Sequence, residues 1–281
     1  KRVGLALSAG FFGFFAHAGL MGALEDVALA PAAVSGSSAG AMIGALYGSG
    51  LDGAAMADIL SGVQREDFWD PVGLGDLVRK APATGLLRGE KFTALLRRSM
   101  PVDTFQGCRI PVYLEAVNLT HASLDILSSG DLARAVVASS AYPGLFMPVE
   151  LNGCHYLDGG LANKLPLTCM LEDVDVVLIH WLQSRSLQAP PFMGRGVKPL
   201  LSALTRGVAV ARRENARLQV RVALERGVPI YVIAPHGLAK VDPFHLERGM
   251  DALGQSHQQA GAVLHGPAED ARLSSDLSIL A

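Results

Sequence analysis

The sequence predicts an α/β protein, a three-layer α/β/α domain built on one mostly parallel sheet with helices on both faces. Three observations point there. Short β-like runs alternate with helical runs along most of the chain. Half of the 281 residues are hydrophobic and 18% are charged, a composition that folds around a large core. The most apolar stretches are interrupted by glycines and serines, as buried strand-turn-helix units are.

In chain order, residues 3–7 read as the first strand and 15–27 as the first helix. A strand at 32–35 follows, then helices at 39–47 and 54–63. The less regular stretch 64–100 holds Phe68-Trp69-Asp70-Pro71, several Gly and Pro, and a helical segment near 91–98, and is expected to be an insertion or lid. Strands are expected at 110–118 and 123–127, and a helix at 131–140 that stops before Tyr142-Pro143-Gly144. A strand at 154–157 ends at Asp158-Gly159-Gly160, and 174–181 is an apolar strand. A Pro/Gly-rich link at 188–196 leads to a long helix at 200–226, a strand at 229–234, a helix at 243–264 and a polar tail over 267–281. Residues 1–281 are therefore read as one domain, with 185–281 as its C-terminal extension.

Composition removes several function classes. With 24 Lys+Arg against 26 Asp+Glu, a net charge of −2 gives no global attraction to nucleic acid. Cys108, Cys154 and Cys169 are widely spaced, with no Cys-x-x-Cys pair and no His at ligand spacing, so they read as free thiols in a reducing compartment. No His-Glu-x-x-His or carboxylate cluster suggests a metal, and no cofactor is expected. Residues 3–24 and 27–51 are uncharged and long enough to span a bilayer, but the first carries five glycines and His17, and the second five glycines, four serines and Pro31. Lys1 and Arg2 run straight into the first strand, which suggests a trimmed N-terminus and leaves export open beside a cytoplasmic or membrane-peripheral location.

Three segments carry chemistry. Gly36-Ser37-Ser38-Ala39-Gly40 is a Gly-x-Ser-x-Gly pentapeptide between a β-like run and a small-residue helix, the context in which a nucleophile elbow holds a serine in a strained turn at a helix N-terminus. A tight turn or N-cap explains the pentapeptide alone equally well. Only one or two strands precede Ser38, too few for an ordinary α/β-hydrolase sheet. In the second segment, Asp158 closes a strand before Gly159 and Gly160, either as a plain turn or as a carboxylate placed at the C-terminal edge of the sheet. The third is Ala9-Gly10-Phe11-Phe12-Gly13-Phe14, a glycine-bearing turn whose amides suit an oxyanion and whose spacing does not fit a dinucleotide fingerprint.

Taken together, these segments resemble the patatin-like phospholipase family: a glycine-rich oxyanion turn after an N-terminal strand, an early Gly-x-Ser-x-Gly, and a distant Asp-Gly-Gly. Residues 135–148, with Ser139-Ser140-Ala141-Tyr142-Pro143-Gly144, and the later Asn163 and Pro166 strengthen the likeness, which covers about residues 3–182. The resemblance implies a Ser/Asp dyad, with Ser38 as nucleophile, Asp158 as its base, and backbone amides of Gly10 and Phe11 as the oxyanion hole. It implies hydrolysis of phospholipid or other acyl esters through an acyl-enzyme. An aspartate with an ordinary pKa is a weak base for an alcohol, so a desolvated carboxyl is expected. One departure stands out. Where the family has Gly-Gly-Gly-x-Arg/Lys-Gly, this chain places Phe11 at the third glycine and Gly13 at the basic residue. Alternative readings are a short-acyl esterase, thioesterase or acyltransferase with the same dyad, or a catalytically silent lipid-binding module.

An acyl chain needs an apolar trench; Phe11, Phe12, Phe14, Phe15, Met42, Phe146 and Met147 lie near the site in sequence, although such residues are commonly core. Phe68 and Trp69, or Pro190–Met193, are candidates for peripheral membrane contact. Arg213, Arg217 and Arg221 share one side of the long helix, either as a solvated face with Glu214 and Glu225 or as a contact for anionic head groups. His180 and His236 sit at strand ends without partner spacing and read as packed or surface residues. Oligomeric state has no signature here.

Overall fold

The computed structural model describes residues 1–73, 85–183, 197–243, 245–273, 277 and 280. The link at 188–196, its Pro190–Met193 segment and residues 74–84 of the expected lid lie outside these. β1 (Val3–Leu7) leads into α1 (Phe14–Asp26), β2 (Ala33–Gly36) into α2 (Ala39–Ser49), and α3 (Gly53–Ser61) follows. Next come β3 (Gly85–Leu87), α4 (Glu90–Ser99), β4 (Val112–Asn118), β5 (Ser123–Leu127) and α5 (Leu132–Ser139). Then follow β6 (Gly144–Phe146), β7 (Val149–Leu151), β8 (Cys154–Asp158) and β9 (Val176–His180). The C-terminal part adds α6 (Val197–Glu225), β10 (Ile230–Ile233), α7 (Gly249–His265) and the single turn α8 (Ala268–Ala271). β3, β6 and β7 were not expected, because three residues are too few to display a period.

The main sheet runs β10-β9-β1-β2-β4 with all five strands parallel; β8 pairs antiparallel with β4, and β7 antiparallel with β8. β5 pairs antiparallel with β4. Alternation along the strands divides the core. Leu5, Leu7 and Val34 pack with α1, α2 and α5 on one face, while Ala6, Ala33, Val177 and Ile179 pack with Ala216, Val220 and Ala223 of α6 on the other. α1 and α2 are apolar nearly all round because both are buried nearly all round. The two uncharged stretches are thus the β1-α1 and β2-α2 units of the interior, and among the described residues no helix is long and apolar enough to cross a membrane.

Two regions differ from the sequence reading. The described ends of the 64–100 insertion are packed: β3 pairs with β6, and Phe92, Leu95 and Leu96 of α4 lie in the core. The stretch after Gly266 is not a simple tail. Leu273 donates its amide to the Ile230 carbonyl at 2.8 Å, and Leu273, Leu277 and Leu280 are buried against α6 and β10. The leucines are spaced among polar residues, so average polarity hid them.

One detail of register places the site. Along β4, Leu114 is paired with Gly36, the last residue of β2, and Ala116 with Asp158, the last residue of β8. β2 runs parallel to β4 and β8 antiparallel, so the two strands end head to head, two β4 residues apart.

Candidate active site

Ser38 sits two residues beyond the first of these strand ends, directly before α2. Its φ of 55° and ψ of −116° are rarely adopted by a side-chain-bearing residue. The turn is possible because both flanking positions are glycine. A Cβ on Gly36 would lie 2.3 Å from the Gly40 carbonyl carbon, and one on Gly40 would lie 2.3 Å from the Leu7 oxygen. The strain is held from outside. The Ser38 amide donates to Ser139 Oγ at 3.1 Å, Ser139 Oγ donates to the Glu115 carbonyl at 2.7 Å, and Ser140 Oγ donates to the Ser38 carbonyl at 3.4 Å. Ser139 and Ser140 were noticed in the sequence only as part of a resembling stretch; their bracing role has no signature of its own.

Asp158 closes β8 with its carboxyl buried and 4% of its surface exposed. Its Oδ1 accepts from the Gly160 amide at 2.7 Å and its amide donates to the Ala141 carbonyl at 3.0 Å. Burial pushes the Asp158 carboxyl up to about 6, while the bonds from Ser38 and Gly160 and the charge of Arg212 draw it part of the way back. Gly159 and Gly160 allow close packing here: a Cβ on Gly159 would fall 2.1 Å from the Glu115 carbonyl oxygen, and one on Gly160 2.6 Å from Ala9 Cβ.

Arg212 of α6 was missed by the sequence reading, which looked at Arg213 and Arg217. Those two pair with Glu214, at 3.1 and 2.9 Å. Arg212 turns inward and donates to the Gly160 carbonyl at 3.0 Å, Asn215 to the Ala162 carbonyl at 3.2 Å, and Gln219 accepts from the Leu167 amide at 2.8 Å. The signal was a 3–4 spacing of polar residues on the face that also carries Ala216 and Val220.

The turn after β1 completes the arrangement. Gly10 and Phe11 line the same cavity as Ser38 and Asp158, and among the described residues neither of their amides is engaged in a hydrogen bond. The left-handed residue of the turn is Phe12, with φ 53°, and not Phe11, which stands at the third glycine of the resembling pattern. Gly13, at the position of the family's basic residue, faces Leu182, whose Cδ1 would lie 2.4 Å from an added Cβ. The space for a long side chain is filled.

The cavity measures about 740 Å³. Phe14, Phe68, Phe92 and Phe146 form a row of rings along it, with successive centroids 6.4, 4.9 and 6.2 Å apart. Phe12 and Met42 line it too, whereas Phe15 is core. Phe11 and Trp69 stand at it with 56% and 41% of their surface exposed, and Arg65 lies 4.1 Å over the Trp69 ring.

With this geometry in view, a family model described as patatin-like phospholipase matches residues 5–170. The chain belongs to the patatin-like phospholipase family. The segments 9–14, 36–40 and 158–160 all lie in the matched region, while Arg212 lies beyond it. This patatin-like chain is similar to the lysophospholipase NTE1 of Kluyveromyces lactis, with 31% identity over 177 residues that make up 61% of this chain and 12% of that protein. It is also similar to the lysophospholipase NTE1 of Saccharomyces cerevisiae, with 28% identity over 175 residues, 60% of this chain and 10% of that protein. The chain thus spans about an eighth or less of the length of these relatives. Among solved structures it resembles VipD from Legionella pneumophila, at 15% identity and a TM-score of 0.49, over 96% of this chain and 67% of that one.

Proposed function

We propose that this chain is a lipid acyl hydrolase of phospholipase A or lysophospholipase type, working through Ser38 and Asp158 without a histidine. The reading is supported by a serine held in a strained elbow just past the tip of β2, lining the same cavity as the buried Asp158 at the facing tip of β8. Ionised Asp158 accepts the Ser38 proton as Oγ attacks the ester carbonyl, and the oxyanion that forms is received by the amides of Gly10 and Phe11. Collapse breaks the ester C–O bond, and Asp158 returns the proton to the departing alcohol, leaving Ser38 acylated. Water, deprotonated by the same carboxylate, then hydrolyses the acyl-enzyme. The row of phenylalanine rings suits an acyl chain better than a short soluble acyl group.

Exposed Phe11 and Trp69, with Arg65 beside them, support peripheral contact with a lipid surface at the cavity mouth. Ser38→Ala is expected to lower ester hydrolysis by about four orders of magnitude and to abolish labelling by a fluorophosphonate. Unchanged hydrolysis by that variant would overturn the proposal. Turnover of micellar lysophospholipid against soluble short esters distinguishes the lipase from a short-acyl esterase.

A further inference from the structure

A chain of buried polar groups outside the dyad ends on the oxyanion turn. The parallel register of β1 and β9 sets Leu7 against His180, so His180 stands beside the residue that opens the turn, Ser8. His17 lies at the other end of the turn, in the first helical residues of α1, with its amide donated to the Gly13 carbonyl at 3.0 Å. Its Nε2 is 2.8 Å from the Ser8 carbonyl oxygen, so one imidazole ties the strand stem of the turn to its helix stem. His17 Nδ1 is in turn 2.8 Å from His180 Nδ1, and His180 Nε2 is 3.4 Å from Ser256 Oγ, which donates to the Ala16 carbonyl at 2.8 Å. Ser8, His17, His180 and Ser256 are all fully buried. α7 approaches closely enough to deliver Ser256 because α1 carries Gly19, where a Cβ would stand 2.2 Å from the Leu253 oxygen.

Hydrogen-bond chemistry orders the protons. A carbonyl accepts only, so His17 carries its proton on Nε2 and presents a lone pair at Nδ1. His180 must then carry its proton on Nδ1; the single Ser256 proton goes to the Ala16 carbonyl, so Ser256 Oγ meets His180 Nε2 as a packing contact at 3.4 Å. A second proton on His17 would set two N–H groups head on at 2.8 Å, and one on His180 would have to sit on the fully buried Nε2 beside Ser256. Consistent with this, burial pushes His17 down to about 4, with the charge of Lys164 acting in the same direction, and burial holds His180 well below the ordinary histidine range. The other polar atoms of Ser8 are held too: its amide donates to the His180 carbonyl at 3.2 Å and its Oγ accepts from the Leu182 amide at 2.8 Å.

We propose that His17 and His180 are positioning residues, a neutral pair of fixed tautomers, backed by Ser256, that clamps both stems of the turn and so aims the Gly10 and Phe11 amides. The proposal rests on the reading of those amides as the oxyanion hole. It also assigns a role at the site to β9 and α7, which lie beyond the family-matched residues.

Long-range proton–nitrogen spectra of the wild-type imidazoles test the pair directly: His17 protonated only on Nε2 and His180 only on Nδ1 at neutral pH is expected. The opposite tautomers, or a charged ring, overturn the proposal. Kinetics test the consequence. His180→Phe keeps the volume and removes both nitrogens; kcat is expected to fall about tenfold or more with KM within about threefold, and Ser38 labelling by a fluorophosphonate to slow in parallel. His180→Asn, whose amide N–H stands near the Nδ1 position, is expected to recover most of that loss. A folded His180→Phe protein with wild-type kcat, or His180→Asn no better than His180→Phe, overturns it. If His180→Phe does not fold, the wild-type spectra decide. Failure of the hydrolase reading itself shows separately, as Ser38→Ala with unaltered hydrolysis while the tautomers stand as expected.

Discussion

At the scale of single residues, Asp158 carries the main tension between stability and chemistry. Its carboxyl is raised to about 6 from 3.8 by burial. Between those values the folded protein retains a proton that the unfolded chain releases, so this group's contribution to stability falls as pH rises from 3.8 through about 6. Asp158→Asn removes the cost of burying the ionised form. It is expected to raise unfolding free energy above pH 7 by on the order of 2–3 kcal/mol relative to wild type, with the gain vanishing near pH 4 while hydrolysis is lost. Denaturant unfolding at several pH values checks this, and a variant no more stable than wild type at pH 8 would refute it. Activity of the wild type should rise with pH through about 6 as the carboxylate ionises. Ser38 and Asp158 were both readable in the sequence, because a strained elbow needs glycines on either side and a strand-ending Asp-Gly-Gly is conspicuous. The histidine pair was not. Its members are 163 positions apart and neither has a local pattern.

At the scale of elements, α6 shows where sequence reading stops. Its helical character was plain, but which arginine enters the site depends on the rotation of the helix about its axis. The contacts of Arg212, Asn215 and Gln219 set that rotation. Arg212 draws the Asp158 carboxyl downward, so Arg212→Gln should move the acid limb of kcat/KM to higher pH and cost more activity at pH 6 than at pH 8. Arg212→Lys, which keeps the charge, should move that limb less. A pH profile that stays in place in Arg212→Gln would separate the arginine from the chemistry. The three-residue strands β3, β6 and β7 were missed for different reasons. β3 and β6 exist through pairing with each other across the chain, whereas β7 forms a hairpin with β8 over the left-handed Asn152-Gly153 turn, a signal the sequence reading overlooked.

At the scale of the whole molecule, alternation of strand and helix was enough to read a mostly parallel sheet with helices on both faces, since that pattern leaves few ways to cover both sides. The cavity was less legible, because phenylalanines at 12, 14, 68, 92 and 146 look like ordinary core until the fold lines them up. Its mouth yields a prediction. Replacing both Phe11 and Trp69 by Ala should weaken partition onto anionic phospholipid vesicles about tenfold or more, with turnover of a soluble ester changed far less. Equal partition of the double variant in a vesicle sedimentation assay would place the contact elsewhere. Finally, the proposed nucleophile lies just past the tip of β2 and its proposed base at the tip of β8, and these strands meet end on along a shared neighbour. Neither strand carries the reaction alone, and the second is synthesised about 120 residues after the first. With the proposed dyad, a nascent chain that has formed its early elbow is still inert toward esters, and hydrolytic competence waits for β8.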